Sequence, residues 1–140
     1  MSYLLDTNVL SELRKPRGDA NVRAWFDGVR SDELYLSVLT LGEVRQGIER
    51  LKRRDEAQAA VLGRWLEGLA ASYQKRLLPV DLGVVDAWGR LNVPDPLPVI
   101  DGLLAATALV HSLTLVTRNI KDVERSGVPL VNPFEFGGTR

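Results

Sequence analysis

The chain has 140 residues, which suffice for one domain with a sizeable core but not for two large domains. Apolar residues make up 45% of it and charged residues 26%, as in ordinary globular proteins. Because 18 basic residues balance 18 acidic ones, the strongly basic surface of a bulk nucleic-acid binder is excluded, although a local site can carry either sign.

In chain order, short apolar runs that end on polar residues alternate with amphipathic helical patterns. We predict a strand at 3–5, a helix capped by Thr7 or Asn8 that ends at about residue 15, a helix at 20–29, a strand at 34–37, helices at 40–54 and 55–76, a strand at 77–80, a helix after Asp81, a helix at 98–111, and strands at 113–116 and 128–131. The alternation predicts an α/β fold with a mainly parallel sheet of four to five strands and helices on both faces.

Cysteine is absent, so the chain has no disulfide framework and no thiolate metal site. No apolar run reaches membrane-spanning length, and the N-terminus lacks the basic start and long apolar region of a signal peptide. We therefore expect a cytoplasmic protein with no membrane partner.

Two carboxylates follow predicted strands directly. Asp6 ends the first strand, and Asp122 comes shortly after the fourth. In an open parallel sheet, ligands bind outside the carboxyl ends of the strands, so both residues are expected at the ligand-binding edge. Taken singly, each also has an ordinary explanation, Asp6 as a helix cap and Asp122 as a loop residue.

Two further carboxylates lie on predicted helices. Asp101 is the only charge in the helix at 98–111, which is apolar on nearly every face and is expected to be buried. A carboxylate in the first turn of a helix is stabilised by the helix dipole, but one near a buried helix end needs a partner. Glu43 lies between Gly42 and Val44, and Gly47 follows one turn later. A glycine in mid-helix usually permits close approach, which here would leave room beside Glu43.

These four acids are expected to converge on one edge of the sheet. Two carboxylates about 5 Å apart repel by roughly 3 kcal/mol at an effective dielectric of about 20, so the group needs cations. Salt-bridge partners are one solution, and Arg14, Arg45, Arg118 and Lys121 are the candidates. A divalent metal is the other, and an all-oxygen site without cysteine favours Mg²⁺ or Mn²⁺ over zinc.

Three stretches resemble the PIN-domain ribonucleases of the VapC/FitB toxin type: "LLDTNVLSEL", "LTLGEVRQGIERL" and "PLPVIDGLLAATALVHSLTLVTRNIKDV". Their order and spacing match that family across nearly the whole chain. The resemblance implies a single PIN-like domain over residues 1–140, with 133–140 as a loose tail. It makes Asp6, Glu43, Asp101 and Asp122 the acidic quartet that holds the metal. Val123 is a departure, because many relatives carry an aromatic residue there.

The resemblance also implies roles around the quartet. Thr7, Thr117 and Asn119 match positions that orient the quartet or contact substrate, and Asn8 can form hydrogen bonds beside Asp6. We expect Asp6 and Asp101 to bind the metal directly. Glu43 and Asp122 either bind it through water or help to deprotonate the nucleophile, and the sequence leaves these two roles open. Candidate contacts to a phosphate backbone are Arg14, Lys15, Arg17, Arg118 and Lys121.

The function that follows from the resemblance is that of a toxic Mg²⁺-dependent endoribonuclease, with Mn²⁺ as the alternative ion. Its partners would be an RNA substrate and a small cognate antitoxin, in a homodimer or a heterotetramer with that antitoxin. Two alternatives stay open: a PIN-like domain that binds RNA or protein without cleavage, and a phosphohydrolase. Phosphohydrolases of this kind usually carry a second Asp where this chain has Asn8.

Two further groups of residues are expected to have structural roles. The basic stretch Arg50, Lys52, Arg53 and Arg54 is interpreted as a solvated helix junction. The aromatic residues Trp25, Phe26, Trp65 and Tyr73 are mostly assigned to the core, although one or two could anchor a partner.

Overall fold

The computed structural model describes residues 1–137, and these form a five-stranded, wholly parallel sheet covered by helices. The strands are β1 (Tyr3–Leu5), β2 (Leu34–Ser37), β3 (Leu77–Leu78), β4 (Thr114–Val116) and β5 (Leu130–Val131), in the spatial order β3-β2-β1-β4-β5. The predicted α/β fold is therefore confirmed. Since β1 lies in the middle of the sheet, its carboxyl end is flanked by those of β2 and β4.

Seven α-helices connect the strands. They are α1 (Thr7–Arg14), α2 (Ala20–Asp27), α3 (Val38–Lys52), α4 (Glu56–Ser72), α5 (Leu82–Leu91), α6 (Val99–Val110) and α7 (Ile120–Val123). Among the described residues, every helix falls short of the length and apolar content that a membrane-spanning segment requires.

Alternation along β1 divides the core into two layers. Leu4 faces a cluster built on α6, with Leu104, Ala105 and Ala108, whereas Leu5 faces the other layer with α1 and α2. Residue Leu4 pairs with Leu115 of β4, which faces the same side as Leu4. The two faces of the central strand are thus both buried, which explains why β1 is apolar throughout.

Several predicted boundaries differ from the structure. The strands predicted at 77–80 and 128–131 shrink to two residues each, because these are the edge strands and only one neighbour pairs with them. Of the residues considered as caps for α1, Asp6 is the cap, since its side chain accepts a hydrogen bond from the backbone of Thr7, whereas Thr7 and Asn8 lie inside the helix. In α6, only the middle is fully buried, since Val99 and Val110 at its two ends are exposed.

The expected loose tail at 133–140 is wrong for its first part. Residues Pro133–Glu135 form a 3₁₀ turn, Pro133 is buried, and the Asn21 amide Nδ2 donates to the carbonyl oxygen of Phe134 at 2.8 Å. This segment therefore packs on α2. Residues 138–140 of the predicted tail lie outside the described part of the chain.

Candidate functional site

Asp6 is a buried carboxylate at the carboxyl end of the central strand, with only 4% of its surface exposed. Its backbone N–H continues the pairing to β4 by donating to the carbonyl of Val116 at 2.9 Å. Its Oδ1 accepts from the backbone N–H of Thr7 at 2.6 Å. Burial raises the pKa of Asp6, and hydrogen bonds from Thr117, Thr7 and Asn8 oppose that shift. The side chain is therefore held in one orientation at the edge of the sheet.

Thr117 is the partner of the second oxygen of Asp6. Its hydroxyl Oγ1 donates to Asp6 Oδ2 at 2.7 Å and accepts from the backbone N–H of Asn119 at 3.0 Å. Thr117 is itself buried and immediately follows β4. The predicted orienting role of Thr117 thus has a direct geometric counterpart, whereas Asn119 acts here through its backbone.

Glu43 approaches the same edge from α3. The hydroxyl Oγ1 of Thr7 donates to Glu43 Oε1 at 2.5 Å, so the residue next to Asp6 holds this second carboxylate. Asn8 is exposed and contributes its backbone N–H to Asp6. Of the two residues predicted to form hydrogen bonds beside Asp6, the side chain of Thr7 therefore does so.

Asp101 lies half-buried in the first turn of α6. Its pKa is raised from 3.8 to about 6, first by burial and then by the charges of Asp6, Asp122 and Glu43. Each of the other three predicted quartet members therefore lies close enough to Asp101 to act on its charge. The structure thus brings the four carboxylates into one electrostatic neighbourhood.

No basic side chain neutralises this neighbourhood within residues 1–137, where no ion pair includes a quartet carboxylate. Two of the candidate salt-bridge partners have other contacts: Arg45 pairs with Glu49 at 3.7 Å, and the Arg118 guanidinium lies 4.5 Å from the centre of the Phe134 ring. Lys121 lines the same cleft as Asp122 but does not form an ion pair with it. The repulsion among the four acids is therefore left uncompensated by the described protein groups, which favours an external cation.

The donor set suits a hard divalent ion that keeps part of its water shell. Among the described residues, no three carboxylate, histidine or cysteine side chains lie close enough to enclose an ion by themselves. Zinc and calcium sites usually need such a set, whereas Mg²⁺ is bound through one or two carboxylates together with waters and substrate phosphate. Asp6 and Asp101 are the two residues predicted for that smaller requirement.

Asp122 lies on α7 and opens onto a cleft of about 500 Å³. Arg118, Asn119 and Lys121 line the same cleft, so these three predicted contact residues lie beside the quartet. Phe134 falls in the predicted tail, but its ring lies under the Arg118 guanidinium, a contact that the sequence does not indicate. Its signal is weak, since the stacking depends on a contact between β4 and the C-terminal turn.

The other predicted basic contacts do not line the cleft at Asp122. Arg14 lies over the ring of Trp65, with 5.9 Å to the ring centre, and Lys15 pairs with Glu12 at 3.1 Å. Arg17 is exposed in the turn after α1. The contacts that the structure gives to Arg14 and Lys15 are therefore not to the quartet.

An apolar groove of about 600 Å³ lies between α1, α2 and α4. Phe26, Trp65 and Tyr73 line it, together with Arg14. The interpretation of these aromatics as core holds only in part, because each also presents surface to the groove. Trp65 also lines a smaller pocket that contains Glu43 and Thr7, so this side chain borders both the groove and the candidate site.

Comparison with known proteins gives a consistent answer over most of the chain. A model of the PIN domain matches residues 3–125, which include all four quartet carboxylates. The VapC ribonuclease Y4jK of Sinorhizobium fredii is 36% identical, and the match covers 94% of this chain and 97% of that protein. Toxin FitB of Neisseria gonorrhoeae is 33% identical, with the same two coverages.

Comparison with solved structures also shows similarity over nearly the whole chain. A crystal structure of FitAcB from Neisseria gonorrhoeae has a TM-score of 0.88 and 32% identity, covering 96% of this chain and 99% of that one. At this level of coverage the similarity extends to the whole sheet and to both helical layers.

Proposed function

Since the chain belongs to the PIN-domain family, we propose that it is a divalent-metal-dependent endoribonuclease and the toxin of a toxin–antitoxin pair. The observation that carries the proposal is the surroundings of Asp101, which lies among other carboxylates and has no basic partner within residues 1–137. Its pKa of about 6 reflects burial and three other carboxylates, with no basic side chain of the described residues paired to any of them. Such a cluster is costly for the fold, and a bound cation offsets the cost.

We assign the direct metal contacts to Asp6 and Asp101. Held by these two carboxylates, Mg²⁺ or Mn²⁺ would supply Lewis-acid chemistry at the scissile phosphate and would make an attacking water more acidic. The chain's own groups orient the reactants: Thr117 and the backbone of Thr7 fix the two oxygens of Asp6. Because Asp6 is buried and each of its oxygens accepts a hydrogen bond, this side chain needs little reorganisation when substrate binds.

Glu43 and Asp122 are assigned to proton transfer and to outer contacts. Glu43 is held by the Thr7 hydroxyl, and its second oxygen is available to accept a proton from water. Asp122 lies at the mouth of the cleft that Arg118 and Lys121 share, so it faces the side from which a phosphate backbone is attracted.

Both alternative functions are weakened by particular residues. A domain that only binds RNA or protein has no need of four converging acids, and that convergence destabilises the fold. A phosphohydrolase would need a second carboxylate where Asn8 stands, and Asn8 is exposed.

The apolar groove between α1, α2 and α4 is the surface that we assign to an antitoxin partner. Its aromatic residues Phe26, Trp65 and Tyr73 form the kind of partly exposed surface on which a protein partner anchors. Trp65 links this groove to the pocket that holds Glu43, so a segment bound along the groove would reach the site. We assign the groove to the antitoxin, which would inhibit by covering the carboxylates.

The test is a cleavage assay with purified protein on mixed RNA, followed by sequencing of the RNA ends. We expect cuts at defined positions with Mg²⁺ or Mn²⁺, and loss of those cuts in chelator, in Asp6→Asn and in Asp101→Asn. Asp95→Asn, which removes an exposed carboxylate from the loop before α6, is the matched control and should cut normally. Metal-independent cutting, or equal cutting by all variants, would contradict the assignment.

A further inference from the structure

Gly47 marks an open face of α3 beside the candidate site. A side-chain carbon added at Gly47 would meet nothing within 4 Å, so packing inside the described chain does not require a glycine there. The expected close approach is therefore not made by this protein itself. Glycine is among the least favourable residues in a helix interior, so its presence here is not explained by the stability of α3.

The open face forms one wall of a pocket that starts at the acids. This pocket has a volume of about 260 Å³ and is lined by Thr7, Glu43, Gly47, Trp65 and Arg54, among others. Gly47 lies one turn after Glu43 on the same face of α3, and Arg54 follows in the turn after that helix. A channel thus leads from the Glu43 carboxylate, past Gly47, to an arginine.

The far end of the channel is basic and unpaired. Within residues 1–137, no carboxylate lies within ion-pair distance of Arg50 or Arg54. Arg50 is seven residues after Glu43 and so returns to its face of the helix about 10 Å away. The opposite side of the α3–α4 hairpin is different, because there the three basic residues Arg45, Lys52 and Arg64 share a pocket with Glu49, Glu56 and Glu67. No acidic residue of the described chain other than Glu43 lines the channel, so its basic end faces no such balancing charge.

We propose that this channel holds the RNA strand on one side of the scissile phosphate, with Arg54 and Arg50 binding backbone phosphates a few nucleotides away. The inference rests on the proposed ribonuclease function. The basic stretch at 50–54 is the exposed helix junction that the sequence predicts, and the proposal gives two of its arginines a role in binding. Gly47 leaves room for the strand to pass between Glu43 and the arginines, and Trp65 supplies an apolar wall against which a base can stack.

The test uses a set of RNA oligonucleotides that share one cleavage site and are shortened stepwise from either end. For the wild type, kcat/KM should fall roughly tenfold when trimming on one side removes the phosphate that reaches Arg54. Arg54→Gln should cut the long RNA about as slowly as the wild type cuts the trimmed one, and should lose nothing more on trimming. The salt dependence of RNA binding should also weaken in this variant.

Gly47→Leu tests the channel without removing a charge. Leucine is a far better helix former than glycine, so the variant should melt at the same temperature as the wild type or higher. It should nevertheless reduce cleavage of long RNA to the trimmed level. The matched control is Gly63→Leu on the other side of the hairpin, where an added carbon also meets nothing within 4 Å. That control should gain similar stability and cut normally.

The outcomes separate this inference from the proposed function. If the wild type cuts no RNA of any length, the ribonuclease assignment fails. If the wild type cuts but Arg54→Gln and Gly47→Leu keep its rate and its length dependence, only the channel is wrong. Normal cutting by Arg54→Gln with lost inhibition by the antitoxin would also overturn the inference, since the channel would then be a protein contact.

Discussion

Replacing Asp101 by asparagine should stabilise the metal-free protein at neutral pH while abolishing cleavage. The asparagine keeps nearly the same shape and removes one of four mutually repelling charges. The pKa of Asp101 rises from 3.8 to about 6 in the folded state, which corresponds to a penalty of roughly 3 kcal/mol for keeping it ionised at pH 7. Because the side chain is only half-buried, water screens it, and we take about half of that value.

The change in stability also includes an unfavourable contribution. A carboxylate in the first turn of α6 interacts favourably with the helix dipole, worth about 0.5 kcal/mol, and asparagine gives that up. The remaining gain is about 1 kcal/mol, which for a domain of this size raises Tm by roughly 3 °C.

The pH dependence has a definite sign. As pH rises above 3.8, Asp101 ionises in the unfolded chain but keeps its proton in the folded one until about pH 6. The folded state therefore binds more protons in this window, and the stability of the wild type falls as pH rises through it. The advantage of Asp101→Asn should be absent at pH 4 and complete at pH 7.

Thermal melts in chelator across this pH range, repeated with Mg²⁺, measure both effects. The wild type should gain more from Mg²⁺ than the variant, because a ligand that binds only the folded state stabilises according to its affinity. Asp95→Asn should show neither effect. If Asp101 instead serves as a structural residue of α6, the metal-free variant will melt lower by the equivalent of about 0.5–2 kcal/mol and will still cut RNA. That pattern would refute the reasoning.

Three further predictions concern other parts of the site. Isothermal titration should show Mg²⁺ or Mn²⁺ binding that weakens markedly in Asp6→Asn and Asp101→Asn, and equal affinities would place the metal elsewhere. Thr117→Val leaves Asp6 without its hydroxyl donor, so denaturant unfolding should show a loss of about 1–3 kcal/mol together with reduced cleavage. Thr107→Val, which removes a buried hydroxyl bonded within α6, should lose stability but cut normally. Expression of the chain alone should arrest growth, and a small protein encoded beside it should restore growth, whereas unimpaired growth with folded protein would count against a toxin.

The placement of Asp6 illustrates what local sequence reveals. An apolar run that stops on a carboxylate predicts a strand end at the edge of a parallel sheet, and the structure has that residue there. The same local pattern did not identify the cap of α1, because Asp6, Thr7 and Asn8 are all good capping residues. Only the ψ angle of Asp6, which stays extended, decides that the helix starts after it.

Contacts between segments that are distant in the sequence could not be predicted from local patterns. Phe134 under Arg118 and the Thr7 hydroxyl on Glu43 each depend on how separate elements pack. The exposure of the two ends of α6 could not be predicted from the sequence for a related reason. An apolar residue at a helix end has the same local signature whether a neighbouring element covers it or not.

The hydrogen bond between Thr117 and Asp6 joins residues that are 111 positions apart in the chain. During synthesis, β1 leaves the ribosome more than a hundred residues before β4 and α7, which complete the site around it. The central pairing of β1 with β4 has to wait for them, as nonlocal parallel pairing does in general. Unfinished or prematurely terminated chains should therefore be harmless to the cell that makes them. The carboxylate site forms only after residues 114–123 have emerged and β4 has paired with β1.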